Sequence, residues 1–120
     1  MAEHNTTGKE GEEIARRYLE NKRYSILEQN YRTKRAEIDI IAKHKGILVF
    51  VEVRTKQNER YGTPEETINY AKRARIRRNA IAYVHRARYN GLWRIDAVCV
   101  VINQTKGAQR VSHYENIVEG

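Results

Sequence analysis

The sequence of 120 residues has one cysteine, one proline and no long apolar run. A single cysteine, Cys99, excludes a disulfide within the chain, and its apolar neighbours predict a buried thiol. The longest apolar run, AVCVVI at 97–102, is far shorter than the roughly 20 residues of a membrane-spanning helix. The first residues, MAEHNTTGKEGEE, lack the basic and then apolar order of a signal peptide. We therefore expect a soluble cytoplasmic protein that does not enter a membrane.

Residues that mark several enzyme classes are also scarce. The four histidines, at 4, 44, 85 and 113, lack zinc-ligand spacing and have no companion cysteines, so we expect them at the surface or in turns. The two serines, at 25 and 112, lie outside any nucleophile-elbow pattern. No phosphate-binding loop or dinucleotide fingerprint occurs. Zinc chemistry and serine hydrolysis are therefore disfavoured.

The length and the pattern of apolar residues predict one α/β domain over residues 1–120. Capping-box patterns, TGKE at 7–10 and TPEE at 63–66, predict helix starts. Alternating and continuous apolar runs predict strands, and the order α, β, β, β, α, β, β indicates a mixed sheet flanked by two helices. The predicted helices cover 7–22 and 63–88, and the predicted strands cover 24–31, 37–42, 47–55, 92–102 and 110–118.

The positive charge is concentrated in one part of the chain. The net charge is +8, and residues 68–94 hold eight lysines and arginines and no acid, so the rest of the chain is balanced. A local basic surface indicates an anionic partner, and nucleic acid fits best in the absence of membrane-type amphipathicity. A solvated basic helix that only aids solubility is the alternative. The candidate nucleic-acid-binding residues are Lys72, Arg73, Arg75, Arg77 and Arg78.

Three carboxylates lie in the hairpin EIDIIAKHKGILVFVEVR at 37–54: Glu37 at its start, and Asp39 and Glu52, here called the hairpin acids. Asp39 and Glu52 fall on the same face, because strand side chains alternate. A turn centred on 44–45 would place Asp39 opposite Phe50, and a shift of two residues would place it opposite Glu52. Like charges this close need a cation between them. That cation is either Mg²⁺, which is often held by one or two carboxylates, or a neighbouring arginine or lysine such as Arg54.

Each predicted helix adds one unusual charged residue. Glu12 lies on the core side of the first helix with Ala15 and Leu19, although an acid in a first turn is also favoured by the helix dipole. Lys72 lies within the apolar stripe of the second helix, where it either enters a site or extends to the helix edge. Both residues are candidates for the same site as the hairpin acids.

Five segments resemble, in order and spacing, the bacterial YraN family of small proteins over nearly the whole chain: GEEIARRYL, NYRTKRAEIDIIA, LVFVEVRTK, YGTPEETINYAKRARI and WRIDAVCVV. That family resembles the PD-(D/E)xK nucleases, whose core is similar in Holliday-junction resolvases and restriction endonucleases. The resemblance implies a restriction-endonuclease-like fold and Mg²⁺ or Mn²⁺ bound by Asp39 and Glu52, with Glu12 completing the site. It also implies DNA as substrate, branched DNA by analogy of fold, and a homodimer if a symmetric junction is cut.

The chain departs from that motif at Arg54, which stands where the nuclease motif has lysine. A lysine can lose its proton and help to activate water, whereas a guanidinium stays charged. Lys72 or Lys56 is a candidate substitute, and Arg54 can still stabilise negative charge. Two functions therefore remain open: a Mg²⁺-dependent endonuclease with Asp39, Glu52, Glu12, Arg54 and Lys72 in its site, or a non-catalytic nucleic-acid-binding module on a nuclease-like fold.

Overall fold

The computed structural model describes residues 2–103 and 107–118. Within these residues, one mixed sheet of five strands, in the order β1-β2-β3-β4-β5, lies between two helices, and only the β3–β4 pair is parallel. This is the restriction-endonuclease-like α/β architecture that the sequence predicts. The elements are α1 (Ala2–Asn21), β1 (Ser25–Arg32), β2 (Glu37–His44), β3 (Ile47–Lys56), α2 (Tyr70–Ala87), β4 (Trp93–Asn103) and β5 (Gly107–Tyr114).

The core has two layers, one on each face of the sheet. Ala15 and Leu19 of α1 are fully buried against alternate residues of β2, β3 and β4. Ile76 and Ala80 of α2 pack on the other face against Phe50 and its neighbours. The parallel strand β4 is buried almost throughout, as expected for a strand covered on both faces. The two helices therefore approach the sheet from opposite sides.

Three predicted element boundaries are wrong. The helix α1 begins at Ala2, so TGKE at 7–10 lies inside it; residues 2–6 contain neither proline nor glycine to stop the helix. The TPEE pattern opens only a short 3-10 helix, Glu65–Thr67, and α2 starts later, after Asn69 caps it by accepting the Lys72 N–H. The last strand ends at Tyr114 because the Asn116 backbone turns with φ 54°.

The 3-10 segment is held off the axis of α2 by tertiary contacts. Glu65 pairs with Arg110 of β5 at 2.5 Å, and the Thr67 hydroxyl donates to the Pro64 carbonyl while accepting from Arg54. The bonds to Arg110 and Arg54 join segments that are distant in the chain, and they stabilise a bend where the local sequence favours a helix. In residues 2–103 and 107–118, neither helix combines the length and the apolar character that crossing a membrane requires.

Candidate metal and nucleic-acid site

The hairpin brings its two acids together at one end of the β2–β3 ladder. The turn is Lys45–Gly46, both with positive φ, and the register pairs His44 with Ile47 and Ile40 with Val51. One further step places Asp39 beside Glu52. The expectation that Asp39 faces Phe50 is wrong, since Ile41 does, and the register shifted by two residues is correct. The turn lies further along the chain because glycine at 46 favours a two-residue loop with positive φ.

At the end of the β2–β3 ladder, the Asp39 side chain takes the place of a main-chain acceptor for the Val53 N–H. Its Oδ2 accepts the Val53 N–H at 2.8 Å, which holds the carboxylate next to Glu52. Burial and the negative charge of Glu52 together raise the pKa of Asp39 to about 7, and the Val53 hydrogen bond opposes both effects. The site therefore contains a carboxyl group whose charge is costly unless a cation is supplied.

Two cationic side chains converge on Glu52, whose side chain is only 11% exposed. Arg54 Nη1 and Lys72 Nζ each lie 3.4 Å from the same Glu52 Oε2 atom. The Thr67 hydroxyl accepts from Arg54 Nε at 2.7 Å and fixes the guanidinium in place. Lys72 therefore enters the site and does not extend away from it. The structure brings together four of the five residues that the sequence places in a catalytic site.

The fifth residue, Glu12, reaches this region from the other face of the sheet. Gly11 lets α1 approach β3 closely: a Cβ added there would lie 1.9 Å from Thr55 Oγ1. The pKa of Glu12 is raised by partial burial and by the charge of Glu52, and it is lowered by a hydrogen bond with the Asn30 side chain. Glu12 thus interacts electrostatically with the hairpin acids at longer range.

Asp39 and Glu52 suit an ion such as Mg²⁺, which keeps water ligands, better than a metal that is held entirely by protein side chains. In the described ranges, 2–103 and 107–118, no three His, Cys, Asp or Glu side chains converge as a metal-binding group. Two converging carboxylates nevertheless suffice for Mg²⁺, which usually keeps several waters and takes substrate phosphate oxygens. Asp39 and Glu52 line a cavity of about 240 Å³ that leaves room for those ligands.

The helix α2 divides the predicted basic surface into two parts. Lys72 and Arg75 line the cavity with the hairpin acids, and Asn79 donates to the Glu37 carbonyl at 2.9 Å, which fixes the helix against β2. The other three candidate residues lie on the opposite flank of the helix and line a separate groove: Arg73, Arg77 and Arg78. The helix therefore presents two cationic surfaces rather than a single one.

The β1–β2 loop supplies basic residues that the charge count did not single out. Arg32, Lys34 and Arg35 line a cleft of about 260 Å³ together with Arg75 of α2. The Thr33 hydroxyl accepts the N–H groups of Arg35 and Ala36 at 3.1 Å, which orders the loop. This cleft adjoins the acid cavity, because Arg75, Glu37 and Asn79 line both. The run RTKR at 32–35 could have indicated this basic loop from the sequence. A count of net charge did not reveal it, because acids elsewhere in the chain balance these three cations.

A second buried acid, Asp96, belongs to the scaffold. It is fully buried on the α1 side of the sheet and pairs with Arg94 at 2.9 Å and with His113 Nε2 at 2.8 Å. It also accepts the Asn116 N–H, and these hydrogen bonds hold its pKa below the usual range against the effect of burial. The predicted surface or turn position of His113 is wrong, because its side chain is 2% exposed. Cys99 is buried as predicted, and burial raises its pKa to about 12.

Comparison with known proteins places the chain in a family. The sequence model of a protein family, described as "Uncharacterised protein family UPF0102", matches residues 11–100. A UPF0102 protein of Alkaliphilus metalliredigens is 43% identical over 110 residues, which cover 91% of this chain and 93% of that protein. A relative from Clostridium botulinum is 44% identical over 80% of both chains, and one from Christiangramia forsetii is 35% identical over 97% of this chain and 96% of its own. The chain therefore belongs to the uncharacterised protein family UPF0102, the YraN family.

Proposed function

We propose that this protein is a divalent-metal-dependent endonuclease that acts on DNA phosphodiesters. The observation that supports this most is the convergence of Asp39 and Glu52 in a cavity that Arg54 and Lys72 also line. Asp39 and Glu52 would hold Mg²⁺ or Mn²⁺, and Glu12 would add its negative charge from α1. A bound metal of this kind lowers the pKa of its water and neutralises the leaving oxygen.

The cationic side chains have separable roles in this proposal. The Arg54 guanidinium stays protonated, so it serves to stabilise charge on the scissile phosphate rather than to accept a proton. Lys72 Nζ is the one amine that lines the cavity among the described residues, and it is therefore our candidate for proton transfer at the attacking water. Both side chains neutralise Glu52 in the structure, and a metal ion held by Glu52 would supply that positive charge in their place.

The DNA backbone would lie across the cleft next to the cavity. Lys34, Arg35 and Arg75 present cations there to the phosphate oxygens, and contacts to phosphates give affinity that is largely independent of sequence. With about six phosphate contacts, affinity for DNA should fall by about a thousandfold between 50 and 200 mM salt. A flat salt dependence would contradict the assignment of this surface.

The first experiment is calorimetric titration with Mn²⁺, because it needs no knowledge of the substrate. The wild type should bind Mn²⁺ and the Asp39→Asn variant should not. Glu37→Gln is the matched control, because Glu37 lines the same cavity but pairs with Arg32 at 2.5 Å. Wild-type protein that binds no Mn²⁺, with or without DNA, would refute the metal site. Cleavage is then measured on linear, flapped and four-way branched DNA. Sedimentation determines whether the protein is a homodimer, as cleavage of a symmetric junction would require.

A second function is favoured by one observation at the site. Arg54 occupies the lysine position, and both nearby cations already pair with Glu52, as expected of an ion-pair network that needs no metal. This arrangement suits a non-catalytic nucleic-acid-binding module, and the same basic surface would also accept RNA. In that case Asp39→Asn leaves DNA affinity unchanged and no DNA is cut with Mg²⁺ or Mn²⁺. Cleavage that Asp39→Asn abolishes would exclude this second function.

A further inference from the structure

The flank of α2 that faces away from the acid cavity borders a groove of different chemistry. Successive helical residues are about 100° apart, so Tyr70, Arg73 and Arg77 lie opposite the stripe of Lys72, Arg75 and Asn79. The groove measures about 420 Å³, and the C-terminal residues Ile117 and Val118 form its other wall. An Ile117 N–H bond to the Ile95 carbonyl, 2.8 Å long, fixes that wall to β4.

The groove combines an aromatic ring, arginines and an apolar wall. Tyr70 is 80% exposed, and Arg73 is anchored by Nη1 donating to the Ile68 carbonyl at 3.0 Å. Arg78 is exposed, and its side chain forms no hydrogen bond or ion pair with the residues that the structure describes. Arginine at the rim suits phosphate, whereas the ring and the aliphatic wall suit the flat face of a base. A paired base cannot use this wall, because its faces are already stacked in the duplex.

We propose that this groove binds an unpaired nucleotide, with its base on Tyr70 and its phosphates on Arg73 and Arg78. The proposal rests on the proposed function in that both require a nucleic acid, and it specifies the substrate: DNA with a single-stranded segment beside the duplex. The groove and the acid cavity flank one helix, which is about 10 Å across with its side chains. A strand that leaves the duplex at the cavity can therefore reach the groove by crossing α2.

The test measures the affinity for a duplex with a single-stranded overhang against that for a blunt duplex, by fluorescence anisotropy without divalent metal. Stacking of one base makes the overhang substrate bind about 5- to 150-fold more tightly to the wild type. Tyr70→Ala should lose this preference and keep its affinity for blunt duplex, and Tyr70→Phe should retain it. Tyr61→Ala is the matched control, because Tyr61 is 86% exposed and does not line the groove.

Each outcome separates the groove from the acid site. If Tyr70→Ala keeps the preference for the overhang substrate, the groove is not a nucleotide site, even if Mn²⁺ binding and cleavage are found. Asp39→Asn should keep the preference; protein that shows it but binds no Mn²⁺ refutes the nuclease and retains the groove. A wild type that binds no DNA refutes both. If Tyr70→Ala instead changes the sedimentation coefficient, the groove is an interface with a second copy and the nucleotide site is wrong.

Discussion

Replacing Asp39 by Asn should stabilise the metal-free protein while abolishing its metal binding. The carboxylate lies beside Glu52 and is partly buried, so its negative charge opposes folding at neutral pH. Asparagine keeps an oxygen that can accept the Val53 N–H, and its amide can donate to Glu52. The substitution thus removes a charge and retains the contact that closes the β2–β3 ladder.

The size of the effect follows from the pKa of Asp39, which moves from 3.8 to about 7. The folded state binds the proton more tightly than the unfolded chain, so wild-type stability falls as the pH rises from about 4 to 7. At pH 8 the cost reaches at most about 4 kcal/mol. Lys72 and Arg54 can rearrange to reduce it, and we therefore expect Asp39→Asn to gain about 1 to 3 kcal/mol at pH 8 and close to nothing at pH 4.

The assay is urea denaturation of chelator-treated protein at pH 4, 6 and 8, beside the Mn²⁺ titration. Asp96→Asn should change stability in the opposite direction, because Asp96 is fully buried and has Arg94 and His113 as partners. Its loss of charge leaves a buried cation unpaired and should cost about 3 kcal/mol, with Mn²⁺ binding kept. An Asp39→Asn protein that is less stable than wild type at pH 8 would contradict this prediction, since the carboxylate would then be stabilised by a cationic partner in the folded state.

Two further predictions concern the groups around the site. Lys72→Ala should lower DNA cleavage by about a hundredfold while Mn²⁺ affinity is kept or increased, since the ammonium no longer pairs with Glu52; full cleavage in a gel assay would exclude a role for Lys72. Glu65→Gln should cost about 1 kcal/mol at pH 7, because Arg110 lowers the pKa of Glu65 to about 2 and the pair is partly exposed to solvent. That difference should vanish as the pH falls from 4.5 toward 2, and a difference that persists at pH 2 in urea denaturation would contradict it.

The β2–β3 hairpin shows which features of the structure local sequence patterns predict. Alternation of side chains placed Asp39 and Glu52 on one face in either register, so the pairing of the acids was predictable. The register itself depended on which residues form the turn, and Lys45–Gly46 moved it by two positions. The buried strand β4 and the thiol of Cys99 followed from an uninterrupted apolar run.

Contacts between distant segments account for what local patterns did not predict. The segment after Pro64 carries helix-start residues, yet Glu65 bonds to Arg110 and Thr67 to Arg54, and the chain bends before α2. His113 looked like a surface residue because nothing near it in sequence marks the buried Asp96, 17 residues away. The loop residue Lys34 entered the basic cleft only because β1 and β2 carry it beside α2.

Local sequence patterns were enough to predict the order of the elements, the sheet covered on both faces and the shared face of Asp39 and Glu52, because these follow from the periods of strands and helices and from apolar burial. The arrangement of the side chains within the site depends on tertiary packing. Packing of α2 on β2 and β3 turned Lys72 toward Glu52 and left Arg73 on the far flank, while α1 docked on the opposite face and kept Glu12 at longer range. The direction in which a helix docks depends on side chains far apart in the chain, and no local pattern encodes it.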